Sequence, residues 1–470
     1  MRVKRCSQPK TYKRDSKPMR FPSREMAPMV VSSNNGDNGK RSHPPHLVFL
    51  PFTDKGHIAP SMILANKLAI LHGTSITMIF VSEKELESSP SPASPQIKFV
   101  VLDTQGGTRS KSEALTEKLD ELKRLASPPV AILVDIIVLW SVDAIERSKL
   151  PKFSLYTASC SYLSVMLGIR AELPEPQIDE SRAGFQPRID DPEMPDFGSH
   201  DWKRDLGEAQ AVLVNSCEEL ERQAVEELIR ARPRIPPVLP VGPLLAIDAD
   251  SPNPKAVGHE PSPPNAEACK QWLDEQEPSS VIFVSFGSRT FLGEEQIREL
   301  ATGLEGSKRP FMWVLPVPPH WADGTKEYLD HVLPDGFLAR NQGGLILSGW
   351  APQKMILQHS SLLAFVTHCG WNSVLECLYL GAKPMLCWPF GADQPENARF
   401  IEEEIKAGVE LEKDGGGIVR SGEIQAKIEE VARLEARNSS GNAATLKEYV
   451  RNAPSSAKNL QAFAEALSQM

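Results

Sequence analysis

Residues 350–394 read WAPQKMILQHSSLLAFVTHCGWNSVLECLYLGAKPMLCWPFGADQ, and this stretch decides the fold class. LLAFVTH is a continuous apolar run, as expected of a strand covered on both faces in a parallel sheet. It runs into Cys369 and Gly370, after which Asn372 and Ser373 open a helix. A glycine at such a turn lets the backbone approach a ligand, and the first N–H groups of the helix point outward with positive dipole character. Strand, glycine turn and helix together make a seat for an anion such as a diphosphate.

The flanking residues suit the rest of a nucleotide sugar. Glu376 lies four residues after Asn372 and returns to the same helical face, where a carboxylate can accept from two vicinal ribose hydroxyls. His368 precedes the turn and can donate to phosphate. Trp350, placed after a strand, offers a flat apolar face for a base, and the backbone of Ala351 can read the base edge. Asp393 and Gln394, in a loop after PMLCWPF, can hydrogen-bond sugar hydroxyls. Singly, each has an ordinary structural reading: core packing for the Trp, a helix cap for the Asn-Ser pair, a solvated loop for Asp-Gln. The joint pattern carries the inference.

Outward from this stretch, the same α/β grammar repeats. HLVFLPF, starting at His46, is a buried-type strand, and PSMILANKLAILHG reads as a helix beginning near Pro60 and ended by Gly73. ITMIFVS, IKFVVLD, VAILVDI, KFSLYTA and AVLVNS continue a parallel sheet with helical stretches between several of them. Between Arg232 and Asn265 the chain is rich in Pro, Gly and acids, as an interdomain linker is. SVIFVSFG, PFMWVL, GLILSGW, LLAFVTH and PMLCWPF then form a second sheet. The expected division is a basic disordered tail (1–44), a first Rossmann-like domain (45–243), a linker (244–264), a second Rossmann-like domain (265–450) and a C-terminal helix (451–470) packing back on the first domain. Two such sheets in tandem imply a cleft between them.

Composition excludes several function classes. The 470 residues are 41% hydrophobic, and no run of eighteen or more apolar residues offers a membrane span, so a cytoplasmic protein is expected. The seven cysteines have no CxxC pair and no regular spacing, against a disulfide framework or a zinc site. The net charge is −9 although residues 1–44 hold 11 Lys/Arg and 3 Asp/Glu, so the body is strongly acidic and ill suited to nucleic acid. The tail's composition cannot offset the entropy of ordering. It also fits a plastid transit peptide, although no amphipathic repeat is visible in it.

The stretch 350–394 strongly resembles the donor-binding signature of plant small-molecule UDP-glycosyltransferases, which begins W-x-P-Q, contains H-C-G-W-N-S and ends D-Q. The resemblance extends through GHIAP, SLYTAS, VLVNSCEELE, PVGPLL, CKQWLDEQEPSSVIFVSFGS and ELATGLEGSKRPFMWVL. It implies a GT-B fold, with UDP-sugar held mainly by the second domain and acceptor mainly by the first. It places Trp350 against uracil, Ala351 and Gln353 on base and ribose, and Glu376 on the ribose hydroxyls. His368, Asn372 and Ser373 at the Gly370 turn, with Ser288, hold phosphates; Trp371, Asp393 and Gln394 face the sugar, and Thr157 reaches it from the other domain. Two features depart from the family pattern. Gly381-Ala382-Lys383-Pro384 has one residue more than usual, and Lys55 stands where a neutral residue is common, its charge within reach of acceptor or phosphate.

Transfer to a hydroxyl needs a base, and a histidine near neutral pKa suits that work. Among ten histidines, His57 sits between the first strand and its helix, at the edge where open α/β sheets bind ligands. A helix N-terminus there disfavours imidazolium and keeps the ring a base. Asp135 terminates VAILVD at the same edge and can hold the imidazole; the family assigns base and partner to these two positions. No metal or cofactor is expected, the UDP-sugar being a co-substrate, and the Asp248-Ala249-Asp250 triplet reads as an acidic linker loop. The expected function is inverting transfer of glucose from UDP-glucose to a small lipophilic phenolic, flavonoid or terpenoid acceptor by a monomer. The alternatives are C- or N-glycosylation, another UDP-sugar, or a nucleotide-sugar-binding protein without turnover. A dinucleotide-dependent oxidoreductase is disfavoured, because no G-x-G-x-x-G follows the first strand.

Overall fold

Two parallel sheets, one after the other in the chain, organise the computed structural model, which describes residues 43–87, 89–104, 109–171, 202–232, 234–245, 263–287, 290–318, 321, 324–341, 343–438 and 442–470. The expected tail before residue 43, most of the expected linker with Asp248 and Asp250, and Ser288 lie outside the described residues.

The first sheet contains β1 (His46–Leu50), β2 (Ser75–Phe80), β3 (Ile97–Val101), β4 (Pro129–Asp135), β5 (Lys152–Tyr156), β6 (Val212–Val214) and β7 (Val238–Pro240), in the order β3-β2-β1-β4-β5-β6-β7. Every described pairing is parallel, with Val48 opposite Thr77 on one side and Ile132 on the other. The apolar runs of the sequence are what such strands need, since helices cover both faces of a doubly wound sheet. The second sheet contains β8 (Val281–Ser285), β9 (Phe311–Val314), β10 (Gly344–Leu347), β11 (Leu362–Thr367), β12 (Met385–Cys387) and β13 (Gly408–Glu410), in the order β10-β9-β8-β11-β12-β13. Phe283 and Phe365 stack across β8 and β11 with centroids 5.2 Å apart, tying the middle of that sheet.

Strand order reverses between β1 and β4 in the first sheet and between β8 and β11 in the second. At such a switch point the connections leave in opposite directions and open a crevice beyond the strand ends. His57 follows β1 and Asp135 ends β4 at the first switch point, and His368 directly follows β11 at the second. The final helix, Pro454–Gln469, places Leu460, Phe463, Ala464 and Leu467 in the first sheet's core, with Phe463 edge-on to Phe153 at 4.9 Å. Its apolar stripe thereby finds a partner surface. No described helix is long and apolar enough to cross a membrane.

Candidate active site

The helix after β1 begins at Lys55, earlier than the break expected near Pro60, because Asp54 caps it by accepting from the Gly56 N–H at 3.0 Å. His57 therefore sits in the first helical turn and not in a loop. Pro60 lies inside this helix and has no N–H to give the carbonyl four residues back, that of Gly56. That carbonyl instead accepts from the Asn372 Nδ2 of the second domain at 2.8 Å. The proline thus opens an acceptor beside His57 through which the other domain grips the helix.

The His57 Nδ1–H is shared between the Asp135 Oδ2 and the Thr157 Oγ1, each at 2.9 Å. Asp135 is fully buried at the end of β4, and its other oxygen accepts from the Ile137 N–H at 3.1 Å. With Nδ1 so engaged, Nε2 carries the lone pair that can take a proton. Thr157 thus contacts the His57 imidazole. Burial alone lowers the His57 pKa, but the Asp135 carboxylate, by charge and hydrogen bond, and the charges of Asp54 and Asp393 outweigh it, so the pKa is raised. The expectation that the helix N-terminus would govern this imidazole is reversed: neighbouring carboxylates win over a dipole of about half a charge.

The second crevice holds the candidate anion seat. β11 ends at Thr367, Cys369 takes a left-handed conformation at φ 64°, and Gly370 leads into the helix Trp371–Leu380. A Cβ on Gly370 would lie 2.4 Å from the His368 Nε2, and one on Gly287 would lie 2.9 Å from the same ring, so both glycines are required by the histidine. Burial pushes the His368 pKa down to about 4, and its Nδ1 is buried without a protein partner. It is a neutral ring. Gln353, at the start of its own helix after Ala351, donates from Nε2 to Glu376 at 2.8 Å and to the Ser373 Oγ at 3.3 Å, gathering the proposed ribose and phosphate residues. The Ala351 carbonyl accepts from the Gln353 N–H at 2.8 Å, which fixes the turn after Trp350. Trp350 itself is 58% exposed, and the Lys55 Nζ lies 3.4 Å from its ring centroid.

Several side chains do other work than expected. Trp371 is buried and donates its indole N–H to the Asn215 carbonyl at 2.7 Å, so its ring joins the two domains. Asn372 uses both side-chain ends across the cleft, donating to Gly56 and accepting from the Asn215 Nδ2 at 3.1 Å. Asp393 and Gln394 are not in a free loop: Asp393 precedes and Gln394 begins the helix Gln394–Arg399, and the Gln394 Oε1 accepts from the Phe390 N–H at 2.8 Å. Burial raises the Asp393 pKa against the hydrogen bond from Asn397 and the charge of His57. The longer Gly381–Pro384 segment is absorbed by Ala382, which turns at φ 48° and donates to the Cys377 carbonyl at 2.7 Å.

Sequence reasoning missed three residues here. Asn397, wholly buried, donates to Asp393 at 2.7 Å and to the Cys369 carbonyl at 2.9 Å, while accepting from Ser159 of the first domain at 2.9 Å. Its position four residues after Asp393 was the available signal. Asn215, directly after β6, links β6 to both Asn372 and the Leu244 N–H; a polar residue at a strand's carboxyl end was the clue. Glu221 accepts from the Cys160 and Ser161 N–H groups at 2.8 Å each and so fixes the turn after Thr157, with no sequence signal beyond its own type.

Comparison with known proteins agrees with this geometry. Residues 249–435 match the family model described as UDP-glucoronosyl and UDP-glucosyl transferase. UDP-glycosyltransferase 72B1 of Arabidopsis thaliana is 30% identical over 437 residues, covering 82% of this chain and 87% of that protein. The crystal structure of a transferase from Siraitia grosvenorii in complex with UDP superposes with a TM-score of 0.70 at 27% identity, covering 90% of this chain and 99% of that one. UGT71G1 of Medicago truncatula, solved with UDP-glucose, gives 0.67 at 25% identity, over 90% of this chain and 98% of that one. Two switch-point crevices, a glycine-cradled anion seat, and relatives that span nearly the whole fold lead to one conclusion: this chain is a GT-B enzyme belonging to the plant UDP-glycosyltransferase family.

Proposed function

We propose that the protein transfers glucose from UDP-glucose to a hydroxyl of a small lipophilic acceptor, with inversion at the anomeric carbon. The observation that carries this reading is the His57 Nδ1 to Asp135 contact at 2.9 Å, formed in the first crevice while Asn372 joins that helix to the anion seat of the second. The His57 Nε2 takes the acceptor proton as the acceptor oxygen attacks C1 and the C1–O bond to UDP breaks. Asp135 orients the ring and stabilises its protonated form. The departing diphosphate is met by the helix N–H groups after Gly370, with Ser373 and the neutral His368 as donors. Uracil stacks on Trp350, Glu376 and Gln353 hold the ribose, and Asp393 and Gln394 meet the glucose hydroxyls.

A lipophilic acceptor is supported by the apolar side chains of Phe52, Ile79, Ile137, Val138 and Trp140, which line a small cleft together with Glu85 and Lys111. Phe52 stands edge-on to the His57 imidazole at 5.3 Å, which puts this apolar lining beside the proposed base. The test is turnover of a panel of phenolic and terpenoid alcohols with UDP-glucose, UDP-galactose and UDP-glucuronic acid. UDP-glucose should give the highest kcat/KM across several acceptors; a consistent preference for either other donor overturns the glucose assignment. Turnover is expected to survive EDTA, because dipoles and neutral donors stabilise the leaving group. Loss of activity in EDTA restored by Mg²⁺ or Mn²⁺ contradicts that.

A further inference from the structure

Lys55 opens the helix that carries His57, yet its ammonium lies 3.4 Å from the ring centroid of Trp350, a residue of the other domain. Trp350 is 58% exposed, so this contact covers an aromatic face that no core packing needs. A cation in the first turn of a helix is opposed by the macrodipole, and attraction to an indole face offsets part of that cost. The backbone beside Lys55 is fixed, because the next residue's carbonyl accepts from Asn372 at the opening of the seat helix. The side chain is therefore rooted at the anion seat while its tip rests on the Trp350 ring.

Among the described residues, the side chains of the seat itself carry no positive charge. Asn372 and Ser373 are neutral, and burial holds the His368 pKa at about 4, so none of them supplies a cation near pH 7. Among the described residues, helix N–H groups and neutral donors then face at least two negative charges, and the dipole provides only about half a unit of positive charge. An ammonium 3.4 Å above an indole also leaves no room for a base on the same face.

We propose that Lys55 is a donor-binding residue: its ammonium covers Trp350 until a nucleoside diphosphate arrives, then yields the ring to the base and pairs with the diphosphate. This rests on the reading of Trp350 as the base platform and of the turn at Gly370 as the phosphate seat. It gives Lys55 two effects of opposite sign, which separate it from a structural role. For a ligand with no phosphate, Lys55 is only a competitor for the ring. For a diphosphate, the new charge pair outweighs the lost cation–π contact.

Calorimetric titration of the full chain with UDP and with uridine, for wild type, Lys55→Ala, Lys55→Arg and Trp350→Ala, tests this. Lys55→Ala should weaken UDP about tenfold, as expected for a partly exposed charge-assisted pair, and tighten uridine about two- to fivefold, as expected for a released cation–π contact. Lys55→Arg should keep UDP within about threefold of wild type. UDP weakened with uridine unweakened supports the proposal. A Lys55→Ala protein in which both ligands weaken, or in which UDP is unaffected, overturns the Lys55 role while leaving the donor site standing if Trp350→Ala still weakens UDP. UDP binding indifferent to Trp350→Ala sinks the donor reading and the Lys55 role together.

Discussion

At the scale of single residues, the chemistry turns on one imidazole whose surroundings pull in opposite directions. Burial favours the neutral ring of His57 and Asp135 favours the charged one, and the carboxylate prevails, placing the pKa above its ordinary value of 6.5. With the neutral form as the proposed base, kcat/KM should rise with pH through an acid limb lying above pH 6.5. Asp135→Asn removes the main raising influence and should move that limb to lower pH while lowering the plateau; a limb that stays in place contradicts the pairing. His368 adds no second limb near neutrality, since its pKa is about 4. Candidate site residues were legible in the sequence where polar side chains stand at strand ends, as Asp135 and His368 do. Their directions were not, as Trp371 and Asn372 show: whether a residue in the first helical turn faces a ligand or the other domain depends on contacts more than 150 positions away, such as those of Trp371 and Asn372 with Asn215.

At the scale of elements, the proline inside the helix Lys55–His72 joins local propensity to function. Proline in a helix interior normally costs about 3 kcal/mol, yet here the carbonyl it leaves free is the one Asn372 needs. Pro60→Ala restores an N–H that can claim the Gly56 carbonyl within the helix. The variant should melt no lower than wild type while kcat falls about tenfold, as expected when a reacting group loses its alignment. Unchanged kcat would show that the Asn372 grip on this helix does not position the base. The buried strands were legible because parallel strands must be apolar throughout. The start of this helix was not, because Gly56 and Pro60 read as breakers and the Asp54 cap that overrides them is a weak local signal.

At the scale of the molecule, two domains were legible from two runs of strand-like segments and the linker between them, but the way they meet was not. Beside the site, Arg170 of the first domain reaches Glu227 of its own domain and Glu404 of the second at 2.9 Å, with Glu396 at 3.4 Å. Removing Arg170 leaves Glu227 without its cation while Glu396 and Glu404 keep Arg399, so Arg170→Ala should cost about 1–3 kcal/mol of stability. Equilibrium denaturation reads this, and a midpoint equal to wild type would mean the network is solvated. The cleft also sets how the central step is tested. Acidic phenols ionise readily and need less help from a base, so the most direct measurement uses an aliphatic alcohol and UDP-glucose, comparing wild type with His57→Ala and assigning the product anomer by NMR. A β-glucoside is expected from wild type, with His57→Ala slowed by about 10²–10⁴ and still binding UDP-glucose. An α-glucoside, or a His57→Ala enzyme with wild-type turnover on that alcohol, contradicts an inverting transfer driven by His57.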